Sequence, residues 1–267
     1  MVDDTTRSRT PPEALPRAVL TALTEAGIPC LVGGGYAFIR YTGIDRPLKD
    51  FDVFLLERSW PAAQRALADA GIEASLTFPH WLAKAVDGDR FVDIIFGSGN
   101  GAAPVDDAWF RHARPDRVLG IPVRIVPPEE VIWTKAYVME RERFDGADVI
   151  HLIRQQARDL DWPRLVARFA DHWQVLLAHL VLFAFAYPSE RGLIPRDVMR
   201  ELARRLERTI DAPPTTDRTC RGTLLSRAQY LVAIEQWGFA DARREPRGRL
   251  SGDEIADWTA AIDELEG

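Results

Sequence analysis

Apolar and polar positions follow two periods along this chain. Residues 13–26 place Leu15, Val19, Leu20 and Leu23 at helical spacing and stop at Gly27. Residues 28–32 form a short apolar run suited to a buried strand, Gly33-Gly34-Gly35 turns out of it, and residues 36–41 read as the start of a helix. Residues 49–55 alternate charge and hydrophobe, so a strand there carries Asp50 and Asp52 on one face and Phe51 and Val53 on the other. A helix over 62–70, opened by Ser59 and Pro61 and closed by Gly71, crosses to strand candidates at 73–78, 82–86 and 91–96. Asp87-Gly88-Asp89 joins the last two as a hairpin turn, which makes both aspartates turn residues.

Trp109 and Phe110 then fall in a short helix as core. Residues 118–126 read as a last hairpin around Gly120-Ile121-Pro122, and Pro127-Pro128 ends the sheet region. A helix is predicted over 129–143, with Val131, Ile132, Lys135, Ala136 and Met139 at helical spacing. From Asp161 onward the pattern predicts helices at 162–170, 172–187, 195–210, 223–237 and 251–265, with a loop over 240–252. The 172–187 helix is apolar nearly all round and is expected at the centre of a bundle. The fold class implied is α/β, a small mixed sheet with flanking helices over 13–127 followed by a mainly helical C-terminal domain over 128–267.

Composition narrows this little: 46% hydrophobic and 28% charged residues are those of a globular chain. The formal net charge of −6 lacks the electrostatic footprint of extended nucleic-acid binding and favours small acceptors. Cys30 and Cys220, far apart, offer neither a disulfide framework nor zinc spacing, which fits a reducing cytoplasm. The most apolar run, 175–187, contains His179 and is too short to span a bilayer, so no membrane role is expected. His172 and His179 read as core or edge residues.

Candidate chemistry lies in three carboxylates and one turn. Asp50 and Asp52 on one strand face repel each other unless a cation sits between them, and Mg²⁺ is the hard, oxygen-seeking ion that suits such a pair. Asp93 is embedded in the apolar strand Arg90-Phe91-Val92-Asp93-Ile94-Ile95-Phe96, where a charge needs a partner. The glycine turn Gly33, Gly34, Gly35 lets the backbone approach a ligand and aims the free N–H groups of a helix start at it, which suits phosphate. Neither a GxGxxG nor a P-loop pattern fits here.

A glycine pair, then Asp-x-Asp, then a later Asp on another strand resembles the polymerase-beta-like nucleotidyltransferase superfamily. Gly34 and Gly35 (or Gly33 and Gly34) take the glycine places, Asp50 and Asp52 those of the metal pair, and Asp93 that of the third carboxylate. Arg46-Pro47-Leu48-Lys49-Asp50-Phe51-Asp52 resembles the Arg-x-Thr/Ser-Lys-Asp-x-Asp of AbiEii/MenT-type and antibiotic-modifying members, with Leu48 where those carry a hydroxyl. The resemblance implies an enzyme that uses Mg²⁺ in a two-metal mechanism to transfer a nucleoside monophosphate from an NTP to an acceptor hydroxyl. It implies Asp50, Asp52 and Asp93 as catalytic metal ligands, with Arg46 and Lys49 neutralising charge. It also implies Lys135 on the phosphates and Asp148 opening the next helix, whereas periodicity alone makes Lys135 a lysine extending from a packed helix.

Alternatives remain at this level: a toxin-like transferase acting on tRNA or protein, and an inactive nucleotide-binding module. The flexible stretch Gly97-Ser98-Gly99-Asn100-Gly101 is open to a functional role or that of a plain connector. Arg218, Arg221 and Arg227 are open to a solvated loop face or a grip on an anionic acceptor.

Overall fold

The structure, a computed structural model, describes residues 13–48 and 50–261. Lys49, assigned to the site by its neighbours in sequence, lies outside the described residues. Helix α1 (Ala14–Glu25) leads into β1 (Leu31–Val32), and α2 (Gly34–Thr42) follows the glycine turn at once and ends on left-handed Gly43. Next come β2 (Asp52–Phe54), α3 (Trp60–Asp69), β3 (Glu73–Phe78), β4 (Leu82–Asp87), β5 (Arg90–Ile95), α4 (Asp107–His112), β6 (Arg114–Val118) and β7 (Ile121–Ile125). These strands form one mixed seven-stranded sheet in the order β3-β4-β5-β2-β1-β7-β6. The β2–β5 and β1–β7 pairs are parallel and the rest antiparallel, so the fold is mixed α/β. The parallel pairs put β2 and β1 at the middle, where Leu31, Val32 and Val53 are fully buried.

Helices α5 (Pro128–Ala136), α6 (Gly146–Gln156), α7 (Trp162–Phe169), α8 (Trp173–Ala186) and α9 (Arg196–Asp211) continue the chain. One buried apolar cluster runs from Leu15 of α1 through the sheet to Leu202 of α9 and on to Ala242. Glu129 and Glu130 on α5 are buried with it, because Arg164 and Arg168 of α7 reach them. Arg168 also grips Asp106, the N-cap of α4, at 2.7 and 3.0 Å, so one charged network ties α4, α5 and α7 together.

Several sequence expectations are corrected by tertiary contacts. The helix predicted over 129–143 ends at Ala136, because Glu140 and Asp145 are used elsewhere: Met139 and Phe144 form a bridge, and Glu140 accepts from Ser226 and the Arg227 backbone. The helix predicted over 223–237 survives as α10 (Leu231–Glu235) and a single 3₁₀ turn, since the Thr223 and Ser226 hydroxyls bond Asp241 and Glu140. Thr219–Cys220 (β8) and Ala240–Asp241 (β9) form a small parallel pair beside it. Helix α8 is not the enclosed centre of a bundle. Its Leu176, His179, Leu180 and Phe183 are buried, but Val181, Leu182 and Phe185 face solvent, Phe185 at 84% exposure.

The run Trp162–Ala186 is by length and composition apolar enough to cross a membrane, which the shorter 175–187 stretch did not indicate. It is broken at Ala170, whose φ of 43° ends α7. The last helix, α11 (Gly252–Ala260), carries a capping box built by Ser251 and Glu254. It returns to the sheet edge, where Trp258 packs edge-on against Phe78 and Trp81.

Candidate active site

Strand β2 begins at Asp52, and parallel pairing with β5 sets Asp52 opposite Asp93. Register partners share a face of the sheet, so the two carboxylates stand side by side. The Gly33 backbone N–H donates to the Asp52 carbonyl at 3.1 Å, which fixes the turn against this strand. Helix α2 therefore starts directly over the Asp52 side chain, and the Gly35 N–H there favours its ionised form. Gly34 sits at φ +53, and a β-carbon there would lie 1.6 Å from Asp52 Oδ2. A β-carbon on Gly33 would enter the Phe54 ring at 2.3 Å. The turn is glycine because carboxylate and ring occupy the space a side chain needs.

Burial pushes the Asp52 carboxyl up to about 6, with the charges of Asp93 and Asp50 adding to it and the Gly35 N–H and Lys135 opposing. Among the described residues no cation forms an ion pair with Asp52. Asp93 is raised for the same first reason, burial, but Lys84 opposes it. Lys84 stands opposite Asp93 across the β4–β5 ladder, with Nζ 3.3 Å from Oδ1. The contact is an ion pair without hydrogen-bond alignment, and the buried Oδ1 has no donor. Asp50 precedes the strand and is exposed, yet its charge raises both Asp52 and Asp93.

The structure thus brings Asp52 and Asp93 together, with Asp50 at the open end. Among the described residues, no three His, Cys, Asp or Glu side chains are grouped closely enough to hold a metal as they stand. The donor set nonetheless fits a hard divalent cation: all-oxygen, in excess negative charge, with a desolvated carboxylate that has no ion-pair partner among the described residues and an orphaned oxygen on its neighbour.

Arg46 and Lys135 lie in a charged cluster beside this pair. Lys135 Nζ, buried on the last turn of α5, is 2.8 Å from both Asp145 Oδ2 and Asp148 Oδ2. Asp148, in the first turn of α6, takes a two-pronged grip from Arg46 at 2.9 and 2.9 Å, and Asp145 takes another from Arg143 at 2.9 and 2.9 Å. Burial would raise both carboxyls, but the arginines and the lysine more than reverse it and hold them below the usual range. The Lys135 charge lowers the Asp52 carboxyl, and the Asp52 charge raises Arg143, so the cluster acts on the acid pair. Helical periodicity across 129–143 hid Arg143; the spacing Arg143-x-Asp145-x-x-Asp148 was the available signal.

The stretch Gly97–Gly101 serves as a dock for the C-terminal segment. Ser98 donates to Asn100 Oδ1, Asn100 donates to the Leu224 carbonyl, and Trp258 lies where a Gly99 β-carbon would sit. The three arginines left open by the sequence are engaged within the protein. Arg218 stacks on Phe239 and Arg221 donates to the Asp171 carbonyl. Arg227 is nine-tenths buried between Glu140, Glu142 and the Trp258 ring. His172 bonds the Tyr137 hydroxyl and His179 Nε2 bonds the Ala136 carbonyl, so both rings are tied into the packing of the helices, with His179 Nδ1 left buried without a partner among the described residues.

No family model matches this chain, and no curated protein matches it. Among solved structures it is similar to the antibiotic-resistance factor ANT(2'')-Ia, at 18% identity and a TM-score of 0.36 over 74% of this chain and 95% of that one. It is similar also to the lincosamide antibiotic adenylyltransferase LnuA, at 14% identity and a TM-score of 0.38 over 52% of this chain and 95% of that one. An antigenic nucleotidyltransferase-like protein from Paracoccidioides brasiliensis is similar at 16% identity and a TM-score of 0.41 over 68% of this chain and 91% of that one.

Proposed function

We propose that this chain transfers a nucleoside monophosphate from an NTP to the hydroxyl of a small acceptor, with Mg²⁺ as the ion of the triphosphate. The observation that supports it is the desolvated Asp52 carboxylate, without an ion-pair partner among the described residues and held beside Asp93 under the first turn of α2. Such an arrangement is costly for the protein alone and becomes favourable once a cation arrives with a nucleotide. Bound at Asp52 and Asp50, Mg²⁺ would supply charge neutralisation for the triphosphate and the departing pyrophosphate.

The remaining work falls to the chain's own residues. The N–H groups at the start of α2 receive phosphate oxygens. Arg46, Lys135 and Arg143 carry three positive charges against the two of Asp145 and Asp148, so the cluster offers net positive charge beside the pair. Asp93 accepts the proton of the acceptor hydroxyl as its oxygen bonds to the α-phosphorus; the bond from that phosphorus to the bridging oxygen breaks, and pyrophosphate leaves with the electron pair. The overall charge of −6 supports a small acceptor over an extended nucleic acid.

The test is incubation with each labelled NTP, Mg²⁺ and a cell extract, followed by separation of small molecules, RNA and protein. Label in the small-molecule fraction that is lost in Asp52→Asn supports the reading. Label in RNA or protein would transfer the reading to a macromolecular acceptor, and no label anywhere would overturn it.

A further inference from the structure

We infer that Lys84 is a built-in cation on the Asp93 side of the acid pair, so that the site takes a single divalent ion, on the Asp52 side. The inference rests on Asp52 and Asp93 being the pair that receives a nucleotide's metal.

The two carboxylates are unequal. Asp52 has no ion-pair partner among the described residues. Asp93 has one supplied by the ladder itself: antiparallel pairing places Lys84 opposite it, and Nζ is 3.3 Å from Oδ1. A second contact holds the ammonium there. It lies 3.6 Å from the centroid of the Phe91 ring, and Phe91 is two residues before Asp93 on the same strand face. Lys84 is thus clamped between a carboxylate and an aromatic face contributed by one strand. Lys84 is a third exposed and Asp93 16% exposed, so the pair is largely withdrawn from solvent.

An ordinary surface lysine pairs with an exposed carboxylate and contributes little. Here the paired oxygen is buried and, among the described residues, accepts no hydrogen bond, so the ammonium is the charge that compensates it. A second divalent ion on that oxygen would meet the ammonium as a like charge at contact distance, whereas no cation among the described residues forms an ion pair with Asp52. Lys84 is accordingly a positioning residue: it neutralises and orients Asp93, leaving its other oxygen toward the acceptor.

The experiment is Mn²⁺ titration of the full chain without nucleotide, by calorimetry with the bound ion counted by electron paramagnetic resonance. The wild type is expected to bind a single Mn²⁺. Lys84→Met, which keeps the stem and removes the charge, is expected to bind a second ion or to bind the first about tenfold more tightly or better. Lys84→Arg is expected to retain the wild-type stoichiometry. Two ions or none on the wild type would overturn the inference, as would a folded Lys84→Met with unchanged binding. Should Lys84→Met not fold, Lys84→Gln and the wild-type count still decide. The NTP-labelling assay stands apart: a chain that shows the predicted Mn²⁺ behaviour but no transfer loses the proposed activity and keeps this site.

Discussion

Gly34 and Asp52 share one volume: a β-carbon on the first would lie 1.6 Å from Oδ2 and 2.4 Å from Cγ of the second. The turn that starts α2 and the carboxylate that β2 presents are therefore a single unit. Gly34→Ala must displace the carboxylate and also holds alanine at φ +53. Transfer is expected to fall about a hundredfold or more, with a stability loss of about 1–2 kcal/mol. Gly43→Ala is the control, because Gly43 is equally left-handed at φ +69 with nothing within 4 Å. It is expected to lose comparable stability and keep its activity; equal loss of activity in both variants would separate the glycine turn from the chemistry.

Asp52 predicts a pH dependence with a definite sign. Its carboxyl titrates near 6 in the folded protein against 3.8 ordinarily, because burial and the charges of Asp93 and Asp50 disfavour ionisation. The folded state thus holds this proton more tightly than the unfolded state, so the contribution to stability is complete below pH 3.8 and is lost as pH rises through about 6. Without divalent ions, Asp52→Asn is expected to be more stable than wild type at pH 7.5, by on the order of 2–3 kcal/mol, and level with it near pH 3.5. Urea unfolding in the presence of a chelator measures both. Added Mg²⁺ should narrow the difference at pH 7.5 by stabilising only the wild type.

Lys135 is held by Asp145 and Asp148 at 2.8 Å each, and its removal leaves two buried carboxylates that each keep an arginine. Lys135→Met is expected to cost on the order of 3 kcal/mol in thermal or urea unfolding. It is also expected to weaken Mg·NTP binding in calorimetry, since the net positive charge of the cluster disappears. Lost stability with unchanged nucleotide affinity would make Lys135 a structural tie alone.

Glu130 is fully buried and receives both Arg164 and Arg168. Glu130→Gln keeps the shape and removes the charge that Arg164 and Arg168 share, leaving them Glu129 and Asp106, at a cost of about 2–3 kcal/mol. The melting temperature is expected to fall by roughly 5–10 °C. Metal binding at Asp52 should be unaffected. A drop confined to metal binding would contradict the assignment of this network to the packing of α4, α5 and α7.

The strand at 52–54 and the embedded Asp93 were legible because a period of two and a charge in an apolar run are local properties of the chain, but Asp50, expected on the same strand face as Asp52, precedes the strand. So was the glycine turn between β1 and α2, since backbone conformation at Gly34 depends on its own missing side chain. Which residues stand opposite one another was not local. Parallel pairing set Asp52 against Asp93, and antiparallel pairing set Lys84 against Asp93 from nine residues away.

Helical periodicity ran through Arg143, but the chain leaves the helix at Ala136, because Glu140 finds Ser226 and Arg227, and Asp145 finds Lys135. Thr223 and Ser226 broke a second predicted helix in the same way. Phe185 reads as core by composition and stands in solvent, because the helices around α8 leave that face uncovered. The sequence by itself determined most strands and helices and where carboxylates and glycines concentrate, but not where the helices predicted over 129–143 and 223–237 stop. Only the tertiary structure decided which charges meet, because an ion pair requires two groups from distant segments to be desolvated together, and no local preference encodes that partner.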